Sequence, residues 1–442
     1  MIENDKKLAN RILIGLLVGA AAGVLTRLLA GVIPGLLGGA QWLATHVLDP
    51  LGQVFLRLLF FVIMPLVFAS LASGVLQLGD PRRLGPLAAR TFMLFFLNMG
   101  IAVALGLVMM NVIQPGERLD EATQAALMAE YGGGAKSNVA IQATSPDVTP
   151  AALVEMFMPR NLVGAVAGNQ RNSLGEVLPL ILFAILLGAA GTYLAAERRE
   201  RLQQGLDTLT ELMTTIVHFA LRLAPYAVPA LIYSVVVKLG VDILLALGTF
   251  VIGCVAVMLL HLFGTMSIWL LVWTSWRPSA FFGAIRAVLV TAFSTSSSSA
   301  TLPTALAAAR ERLGIAPQTA GFVLPLGTTM NMSGTALYEG CVVLFVAQVF
   351  GVDLSFGQQM TLLLLAVLSA VAVAAIPGGS LPLIAGLLAT FGIPPEGIGI
   401  VLGIDRLLDM TRTMVNVGSD VVTTTVVDAL TRRVGTTEKA AD

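Results

Sequence analysis

The chain has 442 residues, 56% of them hydrophobic and 12% charged, with 26 basic residues against 26 acidic ones and a mean hydropathy of +0.87. So much apolar surface exceeds what a soluble core can hide, which excludes an ordinary soluble domain and calls for lipid. Zero net charge gives no electrostatic reason to expect nucleic acid, and two cysteines, Cys254 and Cys341, both inside apolar runs, supply no disulfide framework and read as packing residues.

In chain order, apolar stretches near 11–33, 51–79, 91–114, 177–196, 206–237, 241–276, 316–351 and 398–431 are each long enough to cross about 30 Å of hydrocarbon as helices. Several exceed one span and are expected to tilt or break. The amino terminus, MIENDKKLANR before a long apolar run, lacks a small-residue cleavage site and reads as an uncleaved first span. Lys6, Lys7 and Arg11, then Arg82, Arg83 and Arg90, then Arg198, Arg199 and Arg201, and finally Arg432 and Arg433 mark cytoplasmic ends. This places both termini in the cytoplasm of a multi-pass inner-membrane protein. Residues 116–150, glycine-containing and more acidic than basic, read as an extracellular loop. Trp269, Trp273 and Trp276, beside Arg277, read as an aromatic belt at the cytoplasmic interface.

The second half breaks this pattern. Arg277 and Arg286 precede, and Arg310 and Arg312 follow, a segment centred on TAFSTSSSSATLP; with both flanks basic, it is expected to enter and leave on one face as a re-entrant hairpin. Its serines cannot face lipid, so they must be buried in protein or line a wet cavity. The next span carries GTTMNMSGT in its middle and is expected to unwind there. A further apolar segment, interrupted by AAIPGGSLP, starts after Asp353 and ends near Pro394 and Pro395, which suggests a second hairpin from the opposite face. Paired, inverted, discontinuous elements of this kind meet near the midplane and build a binding site.

The last span, GIDRLLDMTRTMVNVGSDVVTTTVV, places Asp405, Asp409, Arg412, Asn416 and Asp420 at spacings of four, three, four and four. On a helix they fall within an arc of roughly 80°, with Arg406 on its edge. Each charge at bilayer depth costs at least about 2.5–3.5 kcal/mol, so the stripe needs a cavity, a partner or a ligand. One reading is an internal salt-bridge ladder of Asp409 with Arg406 and Arg412 that only joins helices. The other is a binding surface, in which three aspartates against two arginines leave a charge for a cation to match.

These segments, SSSSATLP, LPLGTTMNMSGTALYEG, the IPGGS tip and LGIDRLLDMTRTMVNVGSD, resemble the signature motifs of the dicarboxylate/amino acid:cation symporter family, which includes the excitatory amino acid transporters. The likeness extends upstream through VLPLILFAILLGAAGTYL and LAPYAVPALIYSVV. It implies an all-α polytopic membrane protein of eight transmembrane helices plus two re-entrant hairpins, with inverted repeats, an elevator-type glutamate transporter fold and a homotrimer in lipid. On that pattern residues 1–80 and 151–237 would form a scaffold. Residues 81–115, as the third span, and 238–432, with both hairpins, would form the transport region, leaving 433–442 as a cytoplasmic tail.

The resemblance also implies roles. Arg412 would clamp the side-chain carboxylate of an acidic amino acid, helped by Thr335, and Asp409 would hold the amino group with Thr413 nearby. Ser297, Ser298 and Asn416 would meet the α-carboxylate end, and Ile376, Pro377, Gly378 and Ser380 would form the outer gate. Family members for dicarboxylates without an amino group generally lack the acid at the Asp409 position, and neutral amino acid carriers lack the arginine at Arg412, so glutamate or aspartate is the expected substrate. The motif departs from the sodium-driven pattern in four places: Ser333 stands where an aspartate is usual, and Phe95, Asn98 and Met99 stand where a tyrosine, a threonine and a serine are. Glu339, in ALYEG, stands where proton-coupled members have an acid, and Ser296 replaces an arginine whose place Arg406 would take.

The expectation is therefore proton-coupled glutamate/aspartate symport, with Glu339 as proton carrier, Arg406 partly balancing its charge, and no cofactor. Sodium coupling is the alternative, through a cation site framed by Gly327, Thr329, Asn331, Asp405, Asn416 and Asp420, since hard cations prefer oxygen. Enzymatic use of the serines is disfavoured, because His46, His218 and His261 sit in other segments with no triad-like context. A channel would need a continuous polar path, and only one or two helices are polar enough.

Overall fold

A computed structural model describes residues 2–77, 81–119, 158–167, 177–240, 242–373 and 380–438. Beyond Leu119, the loop expected over 116–150 lies outside the described residues. So do Ile376, Pro377 and Gly378 of the second hairpin tip.

Every regular element among the described residues is helical. The first half comprises α1 (Ile2–Ala30), α2 (Leu36–Leu43), α3 (Asp49–Phe61), α4 (Ile63–Gln77), α5 (Pro81–Ile113), α6 (Leu162–Ala167), α7 (Val177–Gly191), α8 (Ala196–Leu221) and α9 (Ala224–Leu239). The second comprises α10 (Asp242–Leu259), α11 (Met266–Trp273), α12 (Pro278–Ala284), α13 (Arg286–Thr295), α14 (Ser298–Glu311), α15 (Pro317–Met330), α16 (Ser333–Val349), α17 (Phe356–Ala372), α18 (Leu381–Thr390), α19 (Ile398–Val401) and α20 (Asp405–Glu438). The apolar stretch 206–237 is not one helix. It breaks between Leu221 and Ala224, where Pro225 opens α9 with a residue that has no N–H to leave unpaired.

By length and composition three helical runs among the described residues can cross a membrane singly: Leu87–Glu117, Asp242–Trp273 and Pro317–Val349. Shorter apolar helices, among them Ile14–Ala30, Met64–Leu76 and Ala224–Lys238, join them. The helices pack in two groups, one of α1, α3, α4, α7, α8 and α9, the other of α5, α10, α11, α13 to α18 and α20; α17 and α18 touch α3, α4 and α7 across the seam. In the first group α1 meets α9 through Gly15, Gly19 and Gly23, three glycines at four-residue spacing. A Cβ at Gly19 would lie 2.5 Å from the Pro229 carbonyl oxygen, so small residues set how closely the two backbones approach.

In the second group α12 and α13 are bent by 57°, and α13 runs to Thr295. Ser296 then takes a left-handed conformation (φ 50°), and Ser297 caps α14 by accepting the Ala300 N–H at 3.2 Å. Arg312 donates to the Ala284 carbonyl at 3.0 Å, tying the foot of α14 to the end of α12, so the serine segment is a helical hairpin with its serines at the tip. The unwound part of the next span is shorter than GTTMNMSGT: α15 runs to Met330, and only Asn331 and Met332 leave the helix before α16 begins. All of Ser333–Val349 is buried, so this broken span is the axis around which the second group packs.

The three tryptophans do not form one belt. Trp269 is buried in the apolar core with its ring edge-on to Trp273 at 4.8 Å, because its position on α11 faces α20 rather than outward.

Candidate binding site on the last helix

The stripe on α20 divides into two parts with different electrostatics. At its start, Arg412 is 3% exposed and donates through Nε to Asp409 Oδ1 at 2.9 Å, with Nη2 2.8 Å from the same oxygen. Its third nitrogen, Nη1, reaches Asp405 Oδ1 at 3.3 Å. Asp405 Oδ1 also accepts the Tyr338 hydroxyl at 2.9 Å, and the Tyr338 ring lies under the guanidinium at 4.9 Å. Arg406 Nη1 stands 3.5 Å from Asp409 Oδ2. Two arginines and two aspartates thus cancel within two turns, in the ladder geometry that the helix period allows.

Eleven to fifteen residues beyond Asp405, from Asn416 to Asp420, the partners become neutral. Asn416 Oδ1 accepts the backbone N–H groups of Gly334 and Thr335 at 2.8 and 3.2 Å, and its Nδ2 donates to Thr335 Oγ1 at 3.0 Å. One asparagine therefore satisfies the first turn of α16, whose amides would otherwise be orphaned by the break. The approach requires glycine at 334, where a Cβ would sit 2.5 Å from the Arg412 carbonyl oxygen. Ser419 donates to the Asn416 carbonyl at 2.9 Å, so the 2.9 Å contact between the Ser333 and Ser419 hydroxyls has Ser333 as donor.

Asp420 is 2% exposed and receives Asn331 Nδ2 at 2.8 Å, while Asn331 Oδ1 receives Asn98 Nδ2 from α5 at 2.9 Å. Gly327 lies against the same carboxylate, where a Cβ would be 2.5 Å from Oδ1. Among the described residues no ion pair reaches Asp420. The aspartate of the stripe left over once the other two pair with arginines therefore lies here, beside Gly327 and Asn331.

This geometry separates residues that the sequence grouped. Asp405 does not share a site with Asp420: both lie on the continuous helix α20, fifteen residues and roughly 22 Å apart along its axis, and Asp405 is engaged by Arg412 and Tyr338. Thr329 turns its hydroxyl back to the Leu326 carbonyl at 3.1 Å in the last turn of α15. Arg406 forms its ion pair with Asp409, three residues along its own helix, and not with Glu339. Glu339 is fully buried with both carboxylate oxygens lacking an aligned hydrogen bond, and the Ser369 hydroxyl of α17 lies beside it. Thr413 is buried on α20, Ser298 opens α14, and Ser380, also buried, precedes α18.

Tyr338 and Ser419 escaped the sequence reading, and Asn98 entered it only as a departure from a motif. The signal for Tyr338 was present, since Thr335 and Tyr338 are three apart and share a face of α16. The reach of Asn98 across two helices had no local signal. Among the described residues no cluster of three or more His, Cys, Asp or Glu suited to a metal ion occurs.

Known proteins resemble this chain over most of its length. The chain is 31% identical over 412 residues to the proton/sodium-glutamate symport protein of Bacillus caldotenax, covering 90% of this chain and 91% of the relative. It is 31% identical over 387 residues to the proton/glutamate-aspartate symporter of Escherichia coli strain K12, covering 85% and 84%. To the human neutral amino acid transporter B(0) it is 31% identical over 437 residues, covering 93% and 79%. The model of the sodium:dicarboxylate symporter family matches residues 8–430, and the chain belongs to that family.

Proposed function

We propose that this protein is a secondary active carrier that takes up glutamate or aspartate by symport with protons. The observation that carries this reading is the buried Arg412, held with all three of its nitrogens on Asp409 and Asp405. A planar guanidinium presented beside one carboxylate that can receive an ammonium group matches an acidic amino acid, which brings one carboxylate and one ammonium of its own. Relatives 31% identical to this chain are named for glutamate and aspartate.

The same reading assigns the group of α5, α10, α11, α13 to α18 and α20 to transport and the group of α1, α3, α4, α7, α8 and α9 to scaffold. The transport group moves as an elevator within a homotrimer of eight-span subunits in the inner membrane, both termini cytoplasmic and both hairpins re-entrant. Ser297 and Ser298 at one hairpin tip and residues 376–380 at the other close over the substrate, with Thr335, Thr413 and Asn416 completing the pocket. Glu339 carries the proton, because it is a carboxyl group in the buried broken span with no aligned partner to hold it ionised. No cofactor enters the cycle.

A second reading, sodium coupling, is favoured by one specific observation: the Asp420 carboxylate, with Gly327 and Asn331 against it, has no cationic side chain paired with it among the described residues. Reconstituted vesicles separate the two. Uptake of labelled aspartate is expected to follow an inward proton gradient with choline in place of sodium. Strict dependence on a sodium gradient with no response to pH would reject proton coupling and leave sodium.

A further inference from the structure

Helix α8 is a poor lipid-facing helix: after Arg198, Arg199 and Arg201 it carries Asp207 and Glu211 four residues apart, hence on one face. At 1.5 Å per residue these acids lie about 9 and 15 Å along the axis from Arg201, deep enough that a carboxylate turned to lipid would be costly. Both are exposed, and what they face is a cavity. Both line a cavity of about 300 Å³ at the seam between the two packing groups, with Ser73 of α4, Thr214 of α8, Ser299 beside the first hairpin tip and Thr329 of the broken span. That volume is at the lower end of the range of small-molecule sites, roughly 300–1,000 Å³.

The cavity is therefore continuous with the candidate site's own elements: Ser299 follows Ser298, and Thr329 precedes Asn331 by two residues. Its charge is one-sided. Asp207 Oδ1 is fixed as an acceptor by Ser73 Oγ at 2.5 Å and Gln203 Nε2 at 2.9 Å, Glu211 lies one turn further in, and among the described residues no basic side chain lines the cavity. A low-dielectric cleft lined by one sign of charge concentrates ions of the other sign and excludes its own.

We propose that this cavity is the inner vestibule of the carrier and that Asp207 and Glu211 act as an electrostatic exit, repelling the acidic amino acid once it leaves Arg412 so that release is favoured over rebinding. The proposal rests on the acidic-substrate reading above. It also assigns the vestibule a ligand preference independent of that reading: small cations enter it more readily than small anions.

The test uses a cysteine reporter, Thr214→Cys, in oriented proteoliposomes; the native Cys254 and Cys341 are fully buried. Cationic and anionic thiosulfonate reagents are applied from the cytoplasmic side at low ionic strength, with rates corrected for reaction with a free thiol. The cationic reagent should react about tenfold faster, and Glu211→Gln should cut that advantage to a few-fold, as should about 0.5 M salt. Equal corrected rates, or labelling from the outer side alone, would overturn the vestibule. In the same vesicles, Glu211→Gln and Asp207→Asn should lower the KM for aspartate at the inner face about threefold and leave the outer-face KM unchanged. No change, or the same change at both faces, would overturn the exit role. Because the labelling assay needs no transported substrate, it decides the vestibule even if the carrier proves to move something other than acidic amino acids.

Discussion

The two ends of the α20 stripe are built from similar residues and solve opposite problems. Around Asp409, four charges are drawn into one network in which each carboxylate faces an arginine, so the proposed substrate would exchange one ion pair for another here. Around Asp420 the partners are amides, relayed from Asn98 through Asn331, and among the described residues no cationic side chain pairs with the carboxyl group. The first end suits a charged ligand that brings both signs, and the second suits a cation or a proton. Distance along one helix keeps the two chemistries apart while rigidity links them: Asn416, between them, holds the first turn of the broken span to the same helix.

Removing the guanidinium breaks this comparison most severely. Arg412→Ala leaves Asp405 and Asp409 facing each other without their shared cation. Loss of one partner of a buried pair typically costs about 3–5 kcal/mol, so acidic substrate affinity should fall by more than a hundredfold in calorimetry while size-exclusion chromatography still reports the assembled protein. Unchanged glutamate binding would show that the balanced end is only a structural ladder.

Next in size is the separation of substrate from coupling ion. Glu339→Gln preserves the shape of α16 and removes its titratable group, so exchange of internal for external aspartate should continue while pH-driven accumulation falls at least about tenfold. Equal loss of both activities would mean that Glu339 is needed for folding or binding, not for coupling.

Asp409→Ser sharpens the ligand side of the balanced end. It deletes the acceptor proposed for the ammonium group and leaves Asp405 on Arg412, so aspartate should lose about tenfold or more in competition uptake and succinate should not. A variant that keeps full preference for aspartate contradicts that role.

The smallest expected effect concerns the neutral end. Asn98→Ala leaves the Asn331 amide oxygen buried without its donor, a loss worth about 1–3 kcal/mol, and should lower the midpoint of thermal unfolding in detergent by a few degrees. An unshifted midpoint would mean that the relay into Asp420 carries no stability and that its geometry serves the bound ion alone.

The sequence by itself determined a good deal. Composition demanded lipid, basic flanks marked the serine segment as a hairpin, and the four-three-four-four spacing placed Asp405, Asp409, Arg412, Asn416 and Asp420 on one face, because a helix converts spacing into direction without outside help. Motifs carried the family. Tertiary structure alone decided which members of that face act together. Asp405 and Asp420 look equivalent along the chain, yet Tyr338 and Arg412 claim one while Asn331, held in turn by Asn98, claims the other, and all of these partners but Arg412 come from segments far away in sequence. The extent of unwinding was likewise beyond local reading: the GTTMNMSGT run has breakers enough for several turns, but Asn416 caps α16 so early that only Asn331 and Met332 leave the helix. The cavity beside Asp207 and Glu211 lies on a seam between two helix groups, and no periodicity within one helix records what stands across such a seam.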